Sequence, residues 1–314
     1  MELQKRTSTR PMEVVLVANE KGGVGKTTTS LCLANCLSAM GYQVCILDLD
    51  PSANLSCAAL PENPALSLYD VFDKRIPLSE ILVKTPFGYV APSIKDVPDL
   101  GGDLSAPVES KSLTQIANRW LSVRGAEYML TALLRNDKRF NPSEYFDFVI
   151  IDSAPSDNIL ITNAIIAADA VIVPCELAAA SINGLQMFLG SIANTHQYYK
   201  TNVGFDGMLM VKYSEKAGSD RNMAKIIDEL CEAYDIRRYD TKIRHSDTMR
   251  TAMDNCRPIL DYLNVGNAAT DSINMALEFL QKRDLAPLTH SPYITQEENG
   301  KLVYRKPAKC GKEA

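Results

Sequence analysis

Five stretches of the chain are apolar without interruption: Val14–Val17, Val44–Leu47, Phe148–Ile151, Val171–Val173 and Met208–Val211. A strand with one wet face alternates apolar and polar residues. Short continuous apolar runs fit strands covered by helices on both sides. Between these runs the period lengthens. Leu33, Leu37 and Met40 recur at helical spacing, and Gly41 follows as a stop signal. Ile182, Leu185, Leu189 and Ile192 repeat the spacing, as do Ile226, Ile227 and Leu230. Strands alternating with helices predict an α/β fold: a doubly wound, mostly parallel sheet with helices on both faces.

One region breaks the rhythm. Pro61, Pro64, Pro77, Pro86, Pro92, Pro98, Pro107 and the pair Gly101-Gly102 punctuate residues 61–110. The pattern predicts short helices at 66–73 and 78–84, a short strand near 88–92 and then a long loop. This reads as a loop-rich insertion (61–110) in a single domain spanning 12–284. A disordered N-terminal segment (1–11) and a polar, basic tail (285–314) are expected to flank it. No internal repeat is visible.

Composition narrows the classes. The chain has 314 residues, 46% of them hydrophobic, and a formal net charge of −5, so any DNA contact would need a local basic patch. None of the eight cysteines forms a CxxC pair, and several sit in apolar runs. Reduced, buried thiols are expected rather than disulfides or a zinc site. The polar N-terminus lacks a signal-peptide core, and no apolar run approaches the ~20 residues that span a bilayer. A cytoplasmic protein is expected.

The chemistry concentrates at Asn19-Glu20-Lys21-Gly22-Gly23-Val24-Gly25-Lys26-Thr27-Thr28, between the first strand and the first helix. Glycines there let backbone N–H groups turn inward around phosphates, and the helix N-terminus adds partial positive charge. Lys26 can reach phosphate oxygens and Thr27 can ligate Mg²⁺. The general phosphate-loop pattern wants Gly at position 20; Glu20 stands there. Asp48 and Asp50 end the second strand, and Asp152 ends the strand Phe148–Ile151. Strand C-termini are where ligands sit in open α/β sheets. Asp152 reads as a carboxylate that holds Mg²⁺, with a helix N-cap as its bland alternative.

Lys21–Thr28, Asp48-Leu49-Asp50-Pro51-Ser52-Ala53-Asn54 and Phe146–Ser156 resemble the deviant Walker A, switch I and Walker B segments of ParA/Soj partition ATPases. So do Cys175-Glu176 and Gly184-Leu185, and the similarity runs from about residue 12 to 283. The resemblance implies ATP and Mg²⁺ as ligands. Lys21, Gly22, Gly23, Val24, Gly25, Lys26, Thr27 and Thr28 would bind the nucleotide, and Thr27, Asp48 and Asp152 the metal. It implies catalytic roles for Lys21, Lys26 and Asp50: Lys21 crosses a homodimer formed on ATP binding, and Asp50 positions the attacking water. Non-specific DNA and a ParB-like activator are the implied partners, with nucleoid association when ATP is bound. Ser52 and Ala53 replace the family's Gln and Gly, and alanine restricts φ. Tyr239–Ser246 departs from the segment that helps hold the base in relatives.

Between 236 and 257, six Lys or Arg residues face three Asp, a local excess of three positive charges. Lys212, Arg221, Arg244 and Arg250 are the candidate DNA contacts, against the alternative of a solvated, mixed-charge face. A MinD-like membrane- or protein-cargo-positioning ATPase is the alternative of similar fold. Its lipid-binding amphipathic helix has no counterpart in Lys301–Pro307, where Pro307 breaks any helix, so membrane attachment is not expected. Iron–sulfur relatives would need cysteines near 92 and 153, where Pro92-Ser93 and Ser153-Ala154 stand. A scaffold that uses ATP only to dimerise is the non-catalytic alternative.

Overall fold

The computed structural model describes residues 3–95, 111–155, 158–201, 203–214, 218–233, 236–263, 265–289, 294–296 and 302–304, with backbone alone at 179–182, 219–221, 230, 233, 294–296 and 302–304. Eight strands form one sheet: β1 (Glu13–Val17), β2 (Val44–Leu49), β3 (Val83–Thr85), β4 (Gly88–Ala91), β5 (Phe148–Ser153), β6 (Ala170–Glu176), β7 (Gly204–Tyr213) and β8 (Arg238–Arg244). Their order is β3-β4-β2-β5-β1-β6-β7-β8. Every neighbouring pair is parallel except β3 and β4. All five apolar runs are strands, and β1, β2 and β5 are almost completely buried, as strands under two helical layers must be.

Alternate residues of β1 serve two cores. Val14 and Leu16 pack on the side that also holds α3 (Leu68–Lys74), α4 (Leu113–Trp120), the single turn α5 (Met129–Thr131), α6 (Ile159–Ala167), α7 (Ala179–Tyr199) and α8 (Gly218–Ala233). Val15 and Val17 pack on the side of α1 (Lys26–Ala39), α2 (Asn54–Ala59), α9 (Asp247–Asp254) and α10 (Ala268–Gln281). Helix α1 is buried along most of its length, polar Thr29 and Ser30 included, because it is enclosed between the sheet and its neighbours.

The edge strand β8 has polar residues at Asp240 and Lys242 and gives no continuous apolar signal. Carboxylates of α10 hold it: Glu278 accepts from the backbone N–H groups of Asp240 and Thr241, at 2.7 and 2.9 Å, and Asp271 from that of Arg244, at 3.0 Å. Edge donors that lack a strand partner are thereby satisfied.

Three expectations need correction or placement. Residues 78–84 are not one helix: a 3-10 turn at Leu78–Glu80 gives way to β3, whose hairpin turn at Pro86-Phe87 leads into β4 at Gly88 (φ 102). The N-terminal segment is not loose where it is described. Arg6 Nε donates to the Ser143 carbonyl at 2.7 Å, its guanidinium pairs with Asp147 at 3.4 Å, and Lys5 pairs with Glu144. Much of the 86–110 loop and of the tail lies outside the described residues. Leu288 N donates to the Met40 carbonyl, and a short antiparallel pair (β9, Ile294–Gln296; β10, Leu302–Tyr304) follows.

Candidate nucleotide site

The site lies where the sheet order reverses, between β5 and β6 on either side of β1. After β1 the Asn19 amide donates to the Pro174 carbonyl at 2.8 Å, while its carbonyl accepts from Lys21 N at 2.9 Å. One side chain thus ties the start of the loop to the end of β6. Gly23 (φ 72) and Gly25 (φ 86) hold left-handed backbone. No atom lies within 4 Å of where a Gly23 Cβ would be, so the conformation, not crowding, demands glycine there. Gly25 leads into α1, whose first N–H groups face the loop.

Lys26 is buried, and its ammonium donates to the Lys21 carbonyl at 3.1 Å, across the concave side of the loop. Desolvation lowers its pKa, opposed by the charges of Asp152 and Asp50. Thr27 Oγ1 donates to Asp152 at 2.7 Å and Ser30 Oγ at 3.1 Å. That leaves the Thr27 oxygen's lone pairs available for a metal. Asp48 is the register partner of Asp152 in the adjacent strand. It accepts from Ser56 N at 2.8 Å and Ser56 Oγ at 2.6 Å. Among the described residues no cluster of three or more His, Cys, Asp and Glu is placed to hold a metal. The Thr27 hydroxyl and Asp152, with Asp48 in register beside it, suit Mg²⁺, which takes one or two carboxylates and completes its shell with phosphate oxygens and water.

Both carboxyls are costly to ionise. Burial pushes Asp152 up to about 8, reinforced by Asp48, and Asp48 up to about 7. Their unfolded-state value is near 3.8, so the folded, ligand-free protein binds more protons than the unfolded chain between pH ~4 and ~8. Its stability is therefore expected to fall as pH rises through that window. Thermal melts at pH 5 and 8.5 should show a larger loss for the wild type than for Asp48→Asn; equal losses would contradict the assignment.

Asp50 accepts from Ser52 N at 2.8 Å, and Ala53 sits in the left-handed region at φ 51. The restriction expected at this alanine is therefore met by strain. Ala53→Gly is expected to raise stability by about 1 kcal/mol, read from denaturant midpoints.

Helix α7 closes the other side. A Cβ at Gly184 would stand 2.9 Å from Asn19 Oδ1 and 3.1 Å from Lys21 Cβ, so glycine permits the contact between helix and loop. Ser191 Oγ donates to Glu20 at 2.7 Å, which gives the departure at position 20 a structural role. Lys21 Nζ lies 3.4 Å from Glu176, at the end of β6.

Beside Gly25 and Thr28 opens a pocket of about 280 Å³, walled by Val211, Ile243, His245, Met249 and Met253. The sequence reading did not find it, because its walls come from β7, β8, α9 and α10. Three of the four candidate DNA residues line this pocket: Lys212, Arg244 and Arg250. Lys212 Nζ donates to the Gly23 carbonyl at 2.7 Å. Arg244 makes two bonds to Asp271, at 3.0 and 2.5 Å. The Arg221 side chain lies outside the described residues.

A phosphate loop between strand and helix, a lysine over it and a Thr–Asp pair under it define a P-loop NTPase. Residues 12–205 match the AAA domain family. The chromosome partitioning protein ParA of Caulobacter vibrioides is 32% identical over 220 residues, covering 69% of this chain and 76% of that protein. An ATP complex of McdA from Cyanothece superposes with a TM-score of 0.71 at 19% identity, covering 89% of this chain and 99% of the other. Cobyrinic acid a,c-diamide synthase from Mycobacterium smegmatis, with bound ATP analog and magnesium, superposes at 0.62 with 25% identity, covering 82% and 98%. The chain belongs to the ParA family of partition proteins.

Proposed function

We propose that this protein binds ATP with Mg²⁺ in the 19–28 loop, forms a homodimer on doing so and binds DNA without reading its sequence. It hydrolyses ATP when a ParB-like partner engages, and so segregates or positions a plasmid, mobile element or chromosome origin. The carrying observation is the convergence of Lys26, Thr27 and Asp152 on a loop shaped by two left-handed glycines. Bound Mg²⁺ would neutralise phosphate charge between Thr27 and Asp152. Lys26 exchanges its bond to the loop carbonyl for phosphate oxygens. Lys21, whose ammonium lies beside Glu176, supplies a cation to the partner's nucleotide. Asp50, buried at the end of β2 and within electrostatic reach of Lys26, orients the attacking water. The apolar pocket beside Thr28 takes the base. The protein works in the cytoplasm and joins the nucleoid when ATP is bound.

Lys212, Arg244 and Arg250 stand at the pocket wall, so nucleotide occupancy can govern how they face DNA. Asp50→Ala is expected to elute as a dimer with ATP; a monomer under ATP would remove that role. The test of the whole reading is binding to random-sequence duplex over a salt series, with and without ATP and Mg²⁺. Binding only with ATP, falling steeply with salt, is expected. A dimer that ignores DNA would favour the MinD-like alternative.

A further inference from the structure

Of the cysteines among the described residues, Cys32, Cys36, Cys45, Cys175 and Cys231 are buried, as expected of small apolar side chains. Cys57 and Cys256 are different: the first is exposed and the second half-buried. They lie together although 199 positions separate them. The Cys256 thiol contacts the Cys57 carbonyl at 3.2 Å and the Leu60 carbonyl at 3.6 Å, among the end-of-helix acceptors of α2. Cys256 follows α9 with left-handed backbone, φ 50, at a position where glycine is the least strained residue. A side chain is kept there against conformational preference, and that side chain is a thiol directed at the residue carrying the other accessible thiol.

We propose that Cys57 and Cys256 form a reversible disulfide under a small-molecule disulfide oxidant such as glutathione disulfide. The bond ties α2, which follows the Asp48–Asn54 loop, to the end of α9, which walls the pocket. The exposed Cys57 loses its proton to water, and its thiolate attacks one sulfur of the oxidant. A mixed disulfide forms and one glutathione thiolate leaves, taking up a proton. The Cys256 thiolate then attacks the Cys57 sulfur; the second glutathione leaves and takes up the proton that Cys256 released. Two protein thiols are oxidised to one disulfide, and one glutathione disulfide is reduced to two thiols. The staple restrains the segment that carries Asp50 and the helix that carries Met249 and Arg250. Its effect on turnover rests on the ATPase reading above; the bond itself does not.

The experiment uses the full chain, treated with glutathione disulfide, alkylated to block remaining thiols, digested without reduction and mapped by mass spectrometry. A peptide linking Cys57 to Cys256 is expected. It should vanish with dithiothreitol and be absent from Cys57→Ser and from Cys256→Ser. ATP turnover of the wild type should fall at least fivefold on oxidation and recover on reduction, while Cys57→Ser keeps its rate under oxidant. Alkylation of both sulfurs, or glutathione on Cys57 with Cys256 alkylated, would overturn the proposal. A linked peptide with unchanged turnover would overturn the restraint and leave the bond. Reduced protein with no turnover would count against the ATPase reading, and the linked peptide alone would then decide the disulfide.

Discussion

Lys26→Ala is expected to weaken ATP binding about a hundredfold, while Lys21→Ala leaves it within about threefold and removes partner-stimulated hydrolysis. A hundredfold loss corresponds to about 2.7 kcal/mol. That is the scale of a charge-assisted contact made in a desolvated site. The two lysines flank the same loop but are placed differently. Lys26 is 7% exposed and crosses the loop's concave side to the Lys21 carbonyl. Its low exposure already lowers its pKa, so anionic oxygens arriving there relieve an existing cost. The Lys21 ammonium instead lies beside Glu176, with Lys212 at 3.8 Å from the same carboxylate. The Lys21 ammonium has its carboxylate partner at the end of β6, whereas Lys26 bonds a carbonyl of the loop itself. Titration of each variant with a fluorescent ATP analogue, paired with phosphate release, separates the two roles. Equal loss of affinity in both would place Lys21 in its own monomer's phosphate site and end the argument for a contact across a dimer.

What the sequence disclosed and what it hid follow from the range of the interactions involved. The central strands were legible because burial on both faces leaves no polar position in Val14–Val17 or Phe148–Ile151. The phosphate loop was legible because its demands are local: left-handed glycines, a lysine and a hydroxyl within a few residues. Strand β8 was hidden because an edge strand alternates. Its place is fixed by Glu278 and Asp271, which come from α10, more than twenty residues later. The same distance hides the partners of the basic residues. A count of cations between 236 and 257 cannot show that Arg244 is clasped by Asp271, or that Lys212 bends over Gly23. The N-terminal residues read as disordered because their composition is polar, but Arg6 finds Asp147 and the Ser143 carbonyl, partners with no sequence signal near them. The pocket beside Thr28, lined by α1, β7, β8, α9 and α10, had no contiguous motif at all.

Gly184→Ala is expected to reduce ATP turnover by tenfold or more while shifting the melting temperature by only a few degrees. Most helix positions gain from this change, since alanine is favoured over glycine in a helix interior by about 1 kcal/mol. In α7 that gain meets a contact with nowhere to yield cheaply. The new methyl would stand 2.9 Å from Asn19 Oδ1, 3.1 Å from Lys21 Cβ and 3.4 Å from Lys21 N. Asn19 cannot retreat without loosening its bonds to the Pro174 carbonyl and to Lys21 N. Those bonds fix where the loop leaves β1, so the displacement passes into the Lys21 carbonyl that Lys26 contacts. The helix gains and the loop loses, and the two terms offset in global stability but not in turnover, because positioning errors of about 1 Å are enough to cost a hundredfold in rate. Thermal melts and phosphate release on the same preparation make the split visible. Unchanged turnover would mean that α7 can shift as a body away from the loop, and that the Ser191–Glu20 bond does not hold the two together.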